Sequence, residues 1–337
     1  MIILSNCLTE TVDEGCLKVA NSLVNRIKRA HPETMVISYE RSSELSDLNL
    51  QINTLMLNKT LIKILLKSRQ RLLYFPRVAK MKSMSVRVFL LSLFARKGIS
   101  VVLVMQHPTS RFAQVLFKMS RAQIITLSRD SWHYYYDLLG DQAQYLKTGV
   151  DSGRFVPVTE AQRLCLRKKY GIPADKQVVL HVGHLNGRRN IGNLLSLDEK
   201  YHIVLVTSTW TAENQDMQLR EALTKKRNLT LLEGYIPNVE EVYQLSDVYF
   251  FPVVHTHGCI NVPLSVLEAA SCNLPVVATP FGELKELMGC EGFYWIDSFE
   301  PEHLNELIRQ ALENKTDTRS SVLVYDWDRA LQYLLVE

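Results

Sequence analysis

The sequence predicts an α/β protein built as two doubly wound, Rossmann-like domains, and three observations carry that prediction. Short apolar, β-branched runs alternate along the chain with longer segments of helical periodicity, the pattern of parallel strands joined by crossover helices. The 337 residues, 47% of them hydrophobic, have the bulk of one large or two ordinary domains and can bury a substantial core. The longest near-continuous apolar run, Val88 to Ala95, is broken by Ser92. It falls far short of the roughly 18–20 residues a bilayer-spanning helix needs, so that class is excluded.

In the first half, Met1 to Leu4, Met35 to Ser38, Val101 to Met105 and Ile124 to Leu127 read as strands. Gly15 to Ala30 and the basic stretch after Leu57 read as helices. In the second half the strand pattern recurs at Val178 to Val182, Ile203 to Thr207, Leu229 to Leu232, Val248 to Phe251 and Pro275 to Thr279. The join is expected in the turn-rich stretch Gly149 to Thr159, after a strand ending near Leu146. Glu160 to Tyr170 reads as a helix stopped by Gly171, with Pro173 beyond. In such sheets ligands collect at the carboxyl ends of the strands, here in a cleft between the domains.

The N-terminus enters an apolar run without a basic segment and then meets Glu10, Asp13 and Glu14, so it does not read as a secretory signal, and a cytoplasmic chain is expected. The six cysteines lie far apart without a CxxC pair, and are expected to be reduced, mostly buried thiols.

A net charge of +4 hides a strong asymmetry. Residues 1–150 carry 21 Lys and Arg against 10 Asp and Glu, and the remainder 18 against 25. Between Asp47 and Asp130 there are fifteen basic residues and no acidic one. A chain polarised in this way presents its first half to an anionic surface. On a helical wheel Leu57, Leu61, Ile64, Leu65 and Leu72 cluster opposite an i, i+4 row of Lys59, Lys63 and Lys67. Those lysines are either merely solvated or the first contacts with anionic lipid, where each cation contributes on the order of 1 kcal/mol. No aromatic interleaving or reading motif accompanies the charge, so nucleic acid is not expected as a partner.

Two segments carry candidate chemistry. In Asn261-Val-Pro-Leu-Ser-Val-Leu-Glu268, Asn261 can cap and Pro263 suits the first turn of a helix over Leu264 to Cys272. The free amides at its start, backed by about half a positive charge from the macrodipole, suit a phosphate. Glu268 lies just over a turn inside, placed to accept hydrogen bonds from hydroxyls, or else is a surface helix residue. After Val178 to Val182 come Gly183-His184-Leu185-Asn186-Gly187-Arg188-Arg189-Asn190 and a helical Ile191 to Leu195. There glycine permits close backbone approach, and the arginines either clamp a diphosphate or are solvated.

These residues carry a family resemblance. Gly149-Val150-Asp151 with Arg154-Phe155, Val182-Gly183-His184-Leu185 with Arg189-Asn190, Glu233-Gly234-Tyr235-Ile236, Tyr243, Ser246-Asp247, Pro252, Pro263 to Glu268, Pro275-Val-Val-Ala, Gly282 and Glu286 occur in one order. Together they resemble the family 4 retaining glycosyltransferases of the GT-B fold, over most of residues 145 to 290. Before residue 140 the resemblance rests on the first strand, the Gly15 region, His107 and Ser128; near the C-terminus Trp327 resembles the family's closing helix.

The resemblance implies two Rossmann-like domains facing a deep cleft: an acceptor-side domain over 1–150, a nucleotide-sugar-binding domain over 151–315, and a helix over 316–337 crossing back toward the first. It places Arg189 where the family has its phosphate lysine, Glu268 on the ribose hydroxyls, and the amides of Leu264 and Ser265 on the diphosphate. His107 falls where a histidine approaches the donor sugar, and Ile236 near the base-binding backbone. Two positions depart from the pattern. His184 stands for the usual phosphate arginine, and Ile260 for a glutamate that orients the donor sugar, with Asn261 and His257 as substitute polar contacts. The implied activity is retaining transfer from a nucleoside-diphosphate sugar, without a required metal or other cofactor. The acceptor would be a glycan or lipid-linked precursor, and the enzyme would sit peripherally on the inner face of the cell membrane. A non-catalytic donor-binding subunit and a two-domain nucleotide-sugar epimerase stay open as alternatives.

Overall fold

The computed structural model describes residues 1–12, 14–77, 80–104, 110–207, 216–255 and 259–334. It divides into two compact units, residues 1–147 with 330–337, and residues 148–329, each a Rossmann-like α/β layer structure.

The first unit runs β1 (Ile2–Ser5), α1 (Gly15–Ala30), β2 (Met35–Tyr39), β3 (Leu48–Leu50), α2 (Lys59–Lys67), β4 (Leu72–Phe75), α3 (Met81–Phe94), β5 (Ile99–Leu103), α4 (Arg111–Ser120), β6 (Gln123–Thr126), α5 (Arg129–Leu139) and β7 (Ala143–Tyr145). Its seven strands are all parallel in the order β3-β2-β1-β4-β5-β6-β7. Right-handed crossovers put α1 on one face and α2 to α5 on the other. The core beneath α2 to α5 holds Leu61, Leu65, Val88, Leu91, Phe117 and Tyr135. Strands buried on both faces must satisfy their polar groups internally; the hydroxyls of Tyr39 and Tyr74 do so with each other at 2.8 Å.

The second unit runs α6 (Glu160–Tyr170), β8 (Val178–Val182), β9 (His202–Thr207), α7 (Met217–Thr224), β10 (Leu229–Glu233), α8 (Glu240–Gln244), β11 (Val248–Phe251), α9 (Leu264–Ser271), β12 (Val276–Ala278), β13 (Phe293–Trp295), α10 (Pro301–Glu313) and α11 (Thr318–Val322). Its six strands are parallel in the order β10-β9-β8-β11-β12-β13. The strand order reverses between β8 and β11, so the loops after these two strands open side by side at the carboxyl edge. At the opposite edge Arg167, 4% exposed, donates to the Leu245 carbonyl at 2.9 Å and to Asp247 at 2.6 Å. Asp247 also accepts the Val178 amide at 2.7 Å, so Asp247 anchors α6 to the amino end of β8, while the Ser246 hydroxyl donates to the Val242 carbonyl.

Several expectations shift. α2 starts at Lys59 and ends at Lys67, which leaves Leu57 outside it, 42% exposed, and puts Leu72 in β4. The periodicity runs past both helix ends because Asn58 caps the first turn, accepting the Thr60 and Leu61 amides, and the backbone turns extended at Ser68. Residues 191–196 form a 3₁₀ segment instead of an α-helix. Of the six free thiols only Cys7, Cys16 and Cys272 are buried. From 316 onward the chain forms two helices, α11 and α12 (Trp327–Leu334). Thr318 of α11 donates to the carbonyls of Ala270 and Leu274, which holds that helix against α9.

Candidate functional site

The loops after β8 and β11 bring the predicted residues of the second unit together. Arg189 ends a short 3₁₀ turn and lies back over β8. The residue is 5% exposed, and its guanidinium donates to the Val182 carbonyl at 3.5 Å and occupies the space where a side chain on Gly183 would begin. The glycine is therefore required by an arginine side chain, where the sequence suggested only backbone approach to a ligand.

The same Val182 carbonyl accepts the hydroxyl of Tyr249, at 3.3 Å, and Ser265 of α9 stands beside that hydroxyl. One carbonyl at the end of β8 thus brings the arginine loop up to the first turn of α9. In that turn the Val266 and Leu267 amides turn back to the Pro263 carbonyl, at 3.0 and 3.3 Å. The amides of Leu264 and Ser265 have no acceptor within the helix and form its positive end.

One turn further, Glu268 is 4% exposed, so it is not a surface helix residue. It accepts the Tyr243 hydroxyl at 2.7 Å. Burial first, and the charge of Glu268 second, push Tyr243 well above its ordinary pKa, which keeps its hydroxyl a donor to that carboxylate. Tyr243 and Tyr249 lie with ring centroids 5.9 Å apart, a floor beneath both acidic and basic members of the cluster.

The expected cap is corrected. Pro263 takes the N-cap position in extended conformation, and no side chain caps α9. Asn261 lies two residues upstream, where its carbonyl accepts the Glu283 amide at 2.8 Å. The helix begins one residue after Pro263, so the N-cap position falls on a residue with no side-chain acceptor and not on Asn261. His184 and Asn261 are half-buried, and Ile236 stands half-buried beyond β10, at the same edge with β9 between it and β8. His107 and His257 lie outside the described residues. Among the described residues no three His, Cys, Asp or Glu side chains are placed to hold a metal ion.

Sequence reasoning missed His181. It sits mid-strand in β8, fully buried, with Nδ1 donating to the Phe250 carbonyl at 2.8 Å. That bond fixes the tautomer and leaves Nε2 an acceptor, beside Gly183 and the Arg189 guanidinium. Burial first and the Arg189 charge second lower its pKa to about 3. The signal in the sequence was a polar residue inside an otherwise apolar strand. The folded state binds its proton less tightly than the unfolded state, so this group's contribution is complete above about pH 6.5. It is lost at about 1.4 kcal/mol per pH unit as pH falls toward 3. Melting curves between pH 7 and 5 should show the wild type losing stability more steeply than His181→Phe. Parallel slopes would mean that His181 is not held neutral. His202, also lowered by burial, acts the same way in both proteins.

Residues 163–322 match the family model described as Glycosyl transferases group 1. O-antigen chain mannosyltransferase B of Escherichia coli is 26% identical over 171 residues, 48% of this chain and 44% of that protein. The chain spans less than half the length of the curated relatives it matches, 37% and 44%. A glycosyltransferase of Rickettsia africae ESF-5 superposes with a TM-score of 0.79 at 12% identity, over 99% of this chain and 96% of that one. Anabaena Alr3699/HepE, solved in complex with UDP and glucose, gives 0.74 at 15% identity, over 99% and 97%. These likenesses establish the two-domain fold.

Proposed function

From the match of residues 163–322 to the glycosyl transferases group 1 model, we propose that this protein moves a sugar from a nucleoside diphosphate to an acceptor, with retention of anomeric configuration. The observation that carries the reading is the convergence of Arg189, the Leu264 and Ser265 amides and the buried Glu268 at the switch point between β8 and β11. In this reading the amides and Arg189 hold the diphosphate, Glu268 the ribose hydroxyls, and the backbone around Ile236 the base. The Anabaena neighbour was solved in complex with UDP and glucose, which supports a nucleotide-linked sugar as the donor.

In the proposed step the bond from the anomeric carbon to the diphosphate oxygen breaks, and one to the acceptor oxygen forms on the same face. The acceptor proton passes to the departing diphosphate oxygen, so no separate carboxylate base is needed. Arg189, the α9 amides and His184 stabilise the charge that develops on the leaving group. No metal enters the proposal.

The acceptor we infer is a membrane-associated glycolipid or polysaccharide precursor. The mannosyltransferase relative is named for an O-antigen chain, and the acid-free segment 48–129 supplies a cationic surface. Lys59, Lys63 and Lys67 are all exposed on α2, as docking on anionic lipid at the inner membrane face requires. No helix among the described residues is long and apolar enough to cross a membrane.

Glu268→Gln is the sharpest test of the donor site. Losing a charged acceptor for ribose hydroxyls should weaken UDP or GDP binding roughly 10- to 100-fold, measured by calorimetry. Retained nucleotide affinity with lost turnover would remove Glu268 from the ribose. Ile260, 9% exposed and without a polar atom in its side chain, favours a second reading as a non-catalytic donor-binding subunit. Release of nucleoside diphosphate with transfer to an acceptor, against binding without turnover, separates the two.

A further inference from the structure

The exposed side of α4 combines apolar and cationic residues in a way the sequence reading did not notice. α4 turns Ala113, Phe117 and Ser120 inward, and leaves Phe112, Val115 and Met119 exposed at 57%, 52% and 59%. At 100° per residue these three fall within about 60° of one another, with Arg111 and Lys118 along one flank. Arg121 follows at the helix end in left-handed conformation, also exposed. α3 packs against α4 and is apolar nearly all round; its Leu93, turned away from the sheet, is 59% exposed. Phe112 stands just beyond the carboxyl edge of β5, the edge at which ligands of such sheets collect.

We propose that the outer face of α4, with Leu93 of α3, inserts into anionic lipid bilayers. Phe112, Val115 and Met119 enter the boundary between headgroups and acyl chains, while Arg111, Lys118 and Arg121 meet lipid phosphates. This surface deepens the membrane-associated acceptor proposed above and rests on that reading. Charge selects the occupant: no carboxylate occurs from residue 48 to 129, so nothing in this segment repels an anionic surface. A second copy docked two-fold on the same face would set Arg111, Lys118 and Arg121 against themselves. Nucleic acid could use the cations but would leave the apolar stripe in water. An amphipathic helix with a cationic flank lies in the interfacial plane and gains from both terms.

Cosedimentation with phosphatidylglycerol-containing and pure phosphatidylcholine vesicles tests the proposal. The variants are Phe112→Ser/Val115→Ser/Met119→Ser and, separately, Lys59→Glu/Lys63→Glu/Lys67→Glu. The serine variant, its fold checked by thermal melting and UDP calorimetry, should bind anionic vesicles at least about tenfold more weakly than the wild type. Phe112→Trp should shift its emission to the blue and be quenched by brominated lipid once bound. Undiminished binding by the serine variant, or an unshifted tryptophan on bound protein, overturns the insertion surface; loss in the lysine variant alone would then leave the membrane reading standing. A wild type that binds neither vesicle overturns both. A dimer in light scattering that the serine variant dissociates assigns the face to a second copy instead.

Discussion

Arg189→Ala is expected to cost about 2–4 kcal/mol in transition-state stabilisation, roughly 30- to 1000-fold in turnover, with weaker binding of the nucleoside diphosphate. The magnitude follows from position. Arg189 is 5% exposed, and its guanidinium is held by the Val182 carbonyl over Gly183, one carbonyl away from the turn that opens α9. A charge held so is already oriented and largely desolvated, so it spends no reorganisation when the leaving group becomes anionic. Gly183→Ala offers an independent version: its methyl group takes the volume of the guanidinium and displaces it without removing the charge. Both should lower UDP affinity by calorimetry, and in Arg189→Ala the acid sensitivity of His181 should shrink, because one cause of its lowered pKa is gone. A folded Arg189→Ala protein with wild-type nucleotide affinity and turnover would exclude Arg189 from the site.

The second large effect is structural. Gly282 has φ +53°, in the left-handed region, and a Cβ placed there would overlap the carbonyl of Asn261, a backbone atom that cannot rotate away. The amide next to it, Glu283, donates to that same carbonyl at 2.8 Å, so the turn after β12 clamps the segment leading into α9. Gly282→Ala should therefore destabilise the second unit by about 2–4 kcal/mol, a melting point lower by about 5–15 °C for a domain of this size. UDP binding should weaken further than unfolding explains, because Asn261 and Pro263 aim the Leu264 and Ser265 amides. An unchanged melting temperature would show that the loop has room the clamp does not suggest.

Periodicity and punctuation made most of the second unit legible. Val178 to Val182 and Val248 to Phe251 appear at the expected bounds, and Glu160 to Tyr170 ends at a left-handed Gly171. Each is a strongly patterned segment with a glycine or proline stop nearby. The strand ending near Leu146 appears as β7, while the short strands β3, β4 and β13, three or four residues each, escaped because so few residues carry no period of their own. The helices α3 and α4 escaped for other reasons: α3 is apolar nearly all round, so it shows no face, and the exposed apolar stripe of α4 blurs its own.

The sequence by itself determined the fold class, the parallel order of strand and helix, the charge asymmetry, and which residue types stand after β8 and before α9. Those features depend on spacing along the chain, and spacing is what a sequence records. Only the tertiary structure decided that the Arg189 side chain fills the space above Gly183, that the Tyr249 hydroxyl bonds the Val182 carbonyl beside Ser265, that Glu268 is buried on Tyr243, and that His181 stands neutral beside the guanidinium. It also decided that Asn261 holds a turn through its backbone instead of capping α9. The reason is the strand order: β8 and β11 are separated by β9 and β10 in the chain but are hydrogen-bonded neighbours in the sheet, and that pairing sets the geometry of every contact in the cluster.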